Sequence, residues 1–169
     1  GGGVRGAVLP AGAGMAPSVA AAYPDLFAAV GVHSGLAPGA AHDVPSAFEA
    51  MKKGGKRKAG SLAVPTIVFH GDADRTVHPA NGLQVIQSGP AGGAGAESEE
   101  LRANGRRAAT RQLHRDAAGA AMMEHWSVHG APHAWSGGSP RGSYTDPQGP
   151  DASAEMLRFF GEHPKNRQS

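Results

Sequence analysis

The chain has 169 residues, enough for one domain of ordinary size, and 40% of them are hydrophobic, so a buried core is possible. The formal net charge is only +2, and the basic run at 52–58 carries no interleaved aromatic residues, which argues against a nucleic-acid-binding protein. The absence of cysteine excludes disulfides and thiolate metal sites. No apolar run approaches the length of a membrane span, and no motif indicates a cofactor.

Short apolar runs predict the strands. The strongest run, Thr-Ile-Val-Phe-His, is β-branched and aromatic and is bounded by a proline and a glycine, as expected for a buried strand. Two later extended segments, separated by a stretch with Asp and Gly, predict a hairpin. The predicted strands span 4–9, 28–33, 66–70, 109–114 and 121–129.

Between and after these strands the sequence predicts four helices. Ser46 is the expected N-cap of the second helix, because its hydroxyl can accept from a backbone N–H of the first turn. Pro17 lies inside the first helix, where a proline removes a hydrogen bond and clashes with the preceding turn. The predicted helices span 11–23, 46–53, 79–87 and 151–163.

Three segments lack a helical or strand pattern. The low-complexity stretch 89–105 is predicted to be a mobile loop, 130–150 a loop rich in Gly, Ser and Pro, and 164–169 a frayed tail. Elsewhere strands alternate with helices, and a hairpin and a last helix follow. This order predicts an α/β fold in which helices flank a mainly parallel sheet.

Two carboxylates follow directly on the strongest predicted strand. Asp72 and Asp74 lie in the segment His-Gly-Asp-Ala-Asp-Arg-Thr-Val-His-Pro at 70–79. The loop that leaves the carboxyl end of a parallel strand is where α/β proteins build their sites. Asp74 is therefore the candidate acid of a catalytic triad, and Asp72 is expected to bond nearby backbone and hold the turn. The alternative is that both carboxylates only brace the turn.

His133 is the candidate base. It lies in the glycine-rich segment 130–138 after the last predicted strand, and such a loop can project an imidazole into a cleft. A histidine acts as general base when an acid fixes its tautomer. Asp74 precedes His133 by 59 residues, which is the order of acid and histidine in α/β-hydrolase triads. The alternative is an ordinary loop histidine, one of nine in the chain.

Several segments together, in the right order, resemble the polyhydroxybutyrate-depolymerase-like esterases. Two of them read Ala-Ala-Val-Gly-Val-His-Ser-Gly and Gly-Ala-Pro-His-Ala-Trp-Ser-Gly-Gly. The similarity touches most of the chain and is weakest in the glycine-rich stretch and the basic run. The segments that carry it are 28–35, 43–48, 70–79, 130–138, 142–147 and 150–160.

The resemblance implies a partial α/β-hydrolase fold, with 1–169 as the C-terminal portion of a single domain. It also implies hydrolysis of carboxylic esters, with a small ester or a short polyester as substrate and no cofactor. Carried over to this chain, Asp74 is the acid of the triad and His133 is its base. The family includes many secreted members, so secretion is an open expectation.

One position departs from the family pattern. The family turn before the first long helix reads Gly-Leu-Ser-Ala-Gly-Gly, with the serine as nucleophile, whereas residues 8–13 here read Val-Leu-Pro-Ala-Gly-Ala. Pro10 therefore stands in the serine's place, and the chain contains no Gly-x-Ser-x-Gly elbow. Proline has no hydroxyl, and its fixed φ opposes the strained elbow turn. Ala11 keeps the backbone N–H of one oxyanion donor, and the other would lie in an N-terminal half that we expect the chain to lack.

Two further residue patterns are weaker. Ser34 follows a predicted strand beside a histidine and is the obvious substitute nucleophile, but a structural strand-end serine is the favoured interpretation. His125, His129 and His133 have a spacing of four, which would align them on a helix. Gly130 and the following proline break a helix there, so a zinc site is not favoured.

Three functional hypotheses stay open. The favoured one is a fragment of a serine esterase that keeps its acid and base but is inactive, because Pro10 replaces the nucleophile. The second is a non-catalytic binding module that retains a cleft around Trp135 and His133. The third is a working esterase whose serine was lost through a sequence or frame error near residues 1–17.

The predicted strand at 4–9 leads to a stability prediction. Without earlier strands beside it, this strand would be an exposed sheet edge, which favours aggregation. We expect the isolated chain to be marginally stable or partly molten. A single, sharp and cooperative thermal transition would contradict this.

Overall fold

The computed structural model describes residues 4–8, 15–55, 61–90, 96–102 and 105–164, with the backbone alone for 4–8. Most of the strands form one six-stranded sheet in the order β1-β2-β3-β6-β5-β4. The neighbours from β1 to β6 are parallel, and β5 and β4 are added antiparallel. The strands are β1 Val4–Val8, β2 Phe27–His33, β3 Thr66–Gly71, β4 Glu97–Leu101, β5 Ala109–Arg115 and β6 Ala121–Val128.

Helices cover both faces of this sheet. On one face three helices bury small and aliphatic side chains against β2, β3 and β6; on the other face a single helix buries Met156, Phe159 and Phe160. The central strands β2 and β3 are buried on both faces, which explains their nearly continuous apolar sequence. The α/β fold predicted from the sequence is confirmed. The helices are α1 Met15–Ala22, α2 Val44–Lys53, α3 Ala80–Gln87 and α4 Ala152–Glu162.

Two details of the helix predictions are wrong. Asp43, not Ser46, is the N-cap of α2: its carboxylate accepts from the Ser46 N–H at 2.8 Å, while the Ser46 hydroxyl accepts from the Asp43 N–H at 3.1 Å. This reciprocal pair is a capping box. Pro17 does not interrupt α1, because it lies in the first turn, where the backbone N–H has no intrahelical acceptor.

The predicted mobile loop at 89–105 is wrong for Glu97–Leu101, which form β4. The hairpin of β5 and β6 is confirmed, and β4 extends it on the outer side. Backbone pairing with β5 holds β4, and two exposed cross-strand ion pairs accompany it: Glu97 with Arg115 at 3.0 Å and Glu99 with Arg111 at 2.9 Å. Because β4 has almost no apolar face, its own sequence gave no strand signal. Residues 91–95 and 103–104 lie outside the described part of the chain.

The predicted loop at 130–150 contains two short strands, β7 Trp135–Ser136 and β8 Thr145–Asp146, paired in parallel. Arg107 anchors this pair to the start of β5 through an ion pair with Asp146 at 2.5 Å. The loop that carries His133 is therefore fixed at both ends. From residue 165 onward, the predicted frayed tail lies outside the described residues. In the described residues no helix is long and apolar enough to span a membrane.

An ion pair between a buried carboxylate and a partly exposed arginine joins α4 to the sheet. Glu124 of β6 is 1% exposed, and its carboxylate accepts from Arg158 Nη2 at 2.5 Å and from Trp126 Nε1 at 2.6 Å. Arg158 also contacts Glu155 and Glu162 on its own helix. A buried carboxylate that loses its cation is destabilising, whereas an exposed pair on a helix contributes little.

We expect Arg158→Met to lower the free energy of unfolding by about 3 kcal/mol, because it leaves the Glu124 carboxylate buried without its cation. The double variant Arg158→Met/Glu124→Met should recover most of that loss. Glu162→Gln is the control and should cost no more than about 0.5 kcal/mol. Urea unfolding measures the free energy of unfolding of all three variants. Equal losses in Arg158→Met and in Arg158→Met/Glu124→Met would contradict the role of Arg158 as the partner of the buried carboxylate.

His125 of β6 gives a dependence of stability on pH. Burial, with smaller effects from the neighbouring His70 and His114, lowers the pKa of His125 to about 4. The unfolded chain therefore binds a proton at His125 near pH 6.5 that the folded chain does not bind until about pH 4. The contribution of His125 to stability is therefore complete above pH 6.5 and decreases as the pH falls below it.

We expect this single histidine to contribute a loss of about 1.4 kcal/mol per pH unit between pH 6 and 5. His125→Leu should remove that part of the slope, because leucine is apolar and binds no proton in either state. Urea unfolding at several pH values measures the difference between the two proteins. Parallel pH profiles would contradict the prediction.

Candidate active site

The carboxyl ends of β2, β3 and β6 meet at one edge of the sheet, because these strands are parallel neighbours. The loops that follow β3 and β6 lie against each other: the Ala73 N–H donates to the Ala131 carbonyl at 3.2 Å. A Cβ on Gly71 would overlap that same carbonyl oxygen. A residue without a side chain is therefore required where the two loops diverge from the sheet.

Asp74 lies in the loop after β3 and is 4% exposed. One carboxylate oxygen, Oδ1, accepts from the backbone N–H groups of Thr76 at 2.9 Å and Val77 at 2.8 Å. The other, Oδ2, is 2.7 Å from Nδ1 of His133. The structure thus brings together the two residues that the sequence proposed as acid and base.

The environment of Asp74 keeps its carboxyl ionised. Burial by itself would raise the pKa of Asp74, but the His70 imidazole, whose Nε2 lies 3.5 Å from Oδ2, and hydrogen bonds from the Val77 N–H and His133 hold that pKa well below its ordinary value. An ionised carboxylate only accepts hydrogen bonds, so Nδ1 of His133 carries a hydrogen. In the neutral ring the lone pair is then on Nε2. The His133 side chain is 21% exposed, so solvent reaches it.

Asp72 lies beside this pair and contacts the other loop. Its Oδ1 accepts from the Gly130 N–H at 2.6 Å, and its Oδ2 is 3.0 Å from Nδ1 of His129. The Asp72 N–H donates to the Val128 carbonyl at 3.1 Å. Sequence reasoning expected Asp72 to bond nearby backbone; the backbone groups that it bonds are nearly sixty residues away along the chain, at the end of β6.

His33, the last residue of β2, supports the site and was not found by sequence reasoning. Its Nε2 accepts from the Ser136 N–H at 2.9 Å, and its ring stacks against Phe69 and Trp135 at centroid distances of 5.9 and 4.8 Å. Burial, reinforced by His70 and His133, lowers the pKa of His33 to about 3. A neutral His33 therefore fixes the loop just after His133. A histidine at the end of a buried strand was the signal available in the sequence.

Ser34 is not placed to attack a substrate. The residue is fully buried, and its N–H donates to the Phe69 carbonyl at 2.8 Å. Because Nε2 of His33 accepts a hydrogen bond, Nδ1 carries the ring hydrogen and donates it to the Ser34 hydroxyl at 3.2 Å. His33 therefore cannot take the proton of Ser34. Ser34 has φ 52°, which a non-glycine residue adopts only where its surroundings impose it.

His125, His129 and His133, which are spaced by four residues, contact different partners. His125 is buried within the sheet, His129 contacts Asp72 and Thr110, and His133 contacts Asp74. Among the residues that the structure describes, no three His, Asp or Glu side chains are grouped as metal ligands.

Pro10 and Ala11, proposed from the sequence as the nucleophile position and an oxyanion donor, lie outside the described residues. The described backbone of β1 ends at Val8, two residues before Pro10. Since β1 is parallel to β2, its carboxyl end lies at the same sheet edge as His33.

Comparison with known families is consistent with this geometry. No curated protein matches the chain. Residues 1–110, which include the Asp74 loop, match the family described as esterase PHB depolymerase. The match covers well over half of the sequence, and the chain belongs to this esterase family.

Proposed function

We propose that this protein carries the acid and base of a serine-esterase triad, Asp74 and His133, but does not hydrolyse esters, because Pro10 occupies the position of the nucleophile. The observation that carries the proposal is the 2.7 Å contact between Asp74 Oδ2 and His133 Nδ1. Membership of this esterase family indicates a carboxylic ester, such as a short polyester, as the substrate on which such a pair acts.

The pair has the arrangement that general-base catalysis requires. Asp74 fixes the tautomer of His133 and stabilises the imidazolium that would form when the ring takes a proton. Nε2 of the neutral ring would then accept the proton of an attacking hydroxyl and later return it to the leaving alcohol. Each of these steps needs a hydroxyl within hydrogen-bond reach of Nε2, and a proline at position 10 supplies none.

Ser34, the substitute nucleophile that the sequence suggested, does not replace the serine. Ser34 is buried and accepts a hydrogen bond from His33, so its proton has no base to receive it. The sequence contains no Gly-x-Ser-x-Gly elbow. In a serine protease, loss of the triad serine lowers kcat by about six orders of magnitude, which leaves only weak background catalysis.

The first test is hydrolysis of p-nitrophenyl acetate and butyrate by the natural sequence and by His133→Ala. We expect neither protein to exceed the background rate, because the step that needs His133 has no nucleophile to activate. Activity in the natural sequence that disappears in His133→Ala would overturn the proposal.

The second test restores the elbow with Val8→Gly/Pro10→Ser, which recreates the family's Gly-Leu-Ser-Ala-Gly turn. We expect this variant to be labelled by a fluorophosphonate, because His133 would then activate the new hydroxyl. The matched control carries His133→Ala in addition and should not be labelled. If both variants are labelled equally, or neither is labelled while the protein is folded, Asp74 and His133 are not a competent pair.

A further inference from the structure

His70 is a buried polar residue to which the proposed chemistry gives no role. It is the last residue but one of β3, is 2% exposed, and lies four residues before Asp74. A buried imidazole is costly unless its nitrogens have partners. Its contacts therefore indicate what it does.

One ring nitrogen of His70, Nε2, lies close to two residues of the Asp74 loop. Nε2 lies 2.8 Å from the Val77 carbonyl, to which it donates, and 3.5 Å from Asp74 Oδ2. The N–H of the same Val77 donates to Asp74 Oδ1 at 2.8 Å. Val77 is thus held at its carbonyl by His70 and at its N–H by Asp74. Asp74 Oδ2, which contacts His133, lies between two imidazole rings.

Helix α3 fixes the ring of His70 from the opposite side. A Cβ on Gly82 would lie 2.8 Å from Nδ1 of His70 and 3.1 Å from its Cβ. The helix therefore approaches the ring closely enough to leave no space for a side chain. In the described residues Nδ1 has no hydrogen-bond partner, so the polar contacts of His70 are made by Nε2 alone.

We infer that His70 is a positioning residue that holds the Asp74 carboxylate in its geometry with His133. It does so by donating its Nε2–H to the carbonyl of Val77, the residue whose N–H binds Asp74 Oδ1, and by placing Nε2 3.5 Å from Asp74 Oδ2. The inference rests on the proposed pair of Asp74 and His133. If His70 only filled space in the core, any side chain of similar volume would serve equally well.

The experiment compares His70→Leu with His70→Gln by 15N NMR of the His133 ring. Leucine fills the space without a donor, whereas the amide of glutamine reaches the position of Nε2 and can donate to Val77. We expect solvent exchange of the His133 Nδ1–H to be about tenfold faster in His70→Leu, since a weakened hydrogen bond to a carboxylate costs about 1.5 kcal/mol. In His70→Gln it should stay within about twofold of the natural protein.

Val68→Ala is the control for general loosening of the core. Val68 is fully buried on the same strand, and among the described residues no hydrogen bond joins it to the Asp74 loop. It should lower stability in urea but leave the His133 exchange rate unchanged. Gly82→Ala is the second variant: it displaces the His70 ring without removing any group, so it should also accelerate exchange. If His70→Leu does not fold, the exchange rate in Gly82→Ala tests the inference instead.

The outcomes separate the inference from the function on which it rests. Asp74→Asn should abolish the protected His133 Nδ1–H signal, and an unchanged signal would overturn the proposed pair itself. A signal that depends on Asp74 but is unchanged in His70→Leu, or in Gly82→Ala where that variant carries the test, would overturn the positioning role alone. Equal acceleration in Val68→Ala and His70→Leu would also overturn it, because the effect would then be general loosening.

Discussion

The parallel pairing of β3 with β6 is the constraint on which the site depends. Six consecutive residues of β3 are in register with β6, from Thr66 opposite Met123 to Gly71 opposite Val128. Two segments far apart in sequence therefore leave the sheet at one edge and side by side. The Asp72 carboxylate then holds the beginning of one loop to the Gly130 N–H of the other. With both loops fixed in this way, the contact between acid and histidine follows from the register of the strands.

Two buried carboxylates in this protein show how their partners decide what they can do. The Glu124 carboxylate accepts hydrogen bonds from a guanidinium and an indole N–H. The guanidinium balances its negative charge, and both partners belong to the packing of α4 against the sheet. Asp74 is surrounded instead by backbone N–H groups and imidazoles, which stabilise its charge and connect it to the partly exposed ring of His133. The first joins a helix to the sheet, and the second orients the imidazole of His133. Burial alone does not distinguish them.

The elements with a strong local signal were predictable, and those held by distant partners were not. The buried strand β3 and the hairpin of β5 and β6 carry apolar and turn patterns that specify them locally. Strand β4 is charged along most of its length, pairs through its backbone with β5, and places its glutamates beside Arg111 and Arg115 of that strand. The short strands β7 and β8 depend likewise on contacts such as that of Arg107 with Asp146. Such contacts form only after the chain has folded, so no local pattern predicts them.

The sequence by itself determined the chemical groups: carboxylates in the segment after the strongest strand pattern, a histidine in a later glycine-rich segment, and a proline without a hydroxyl at position 10. These follow from residue identity and order along the chain. Only the tertiary structure decided which of two carboxylates contacts His133, that His33 supports the His133 loop, and that Ser34 is enclosed. Each of these depends on distances of a few ångströms between residues that are remote in sequence or on different strands. Strand register and helix packing set such distances, and neither can be deduced from any one segment.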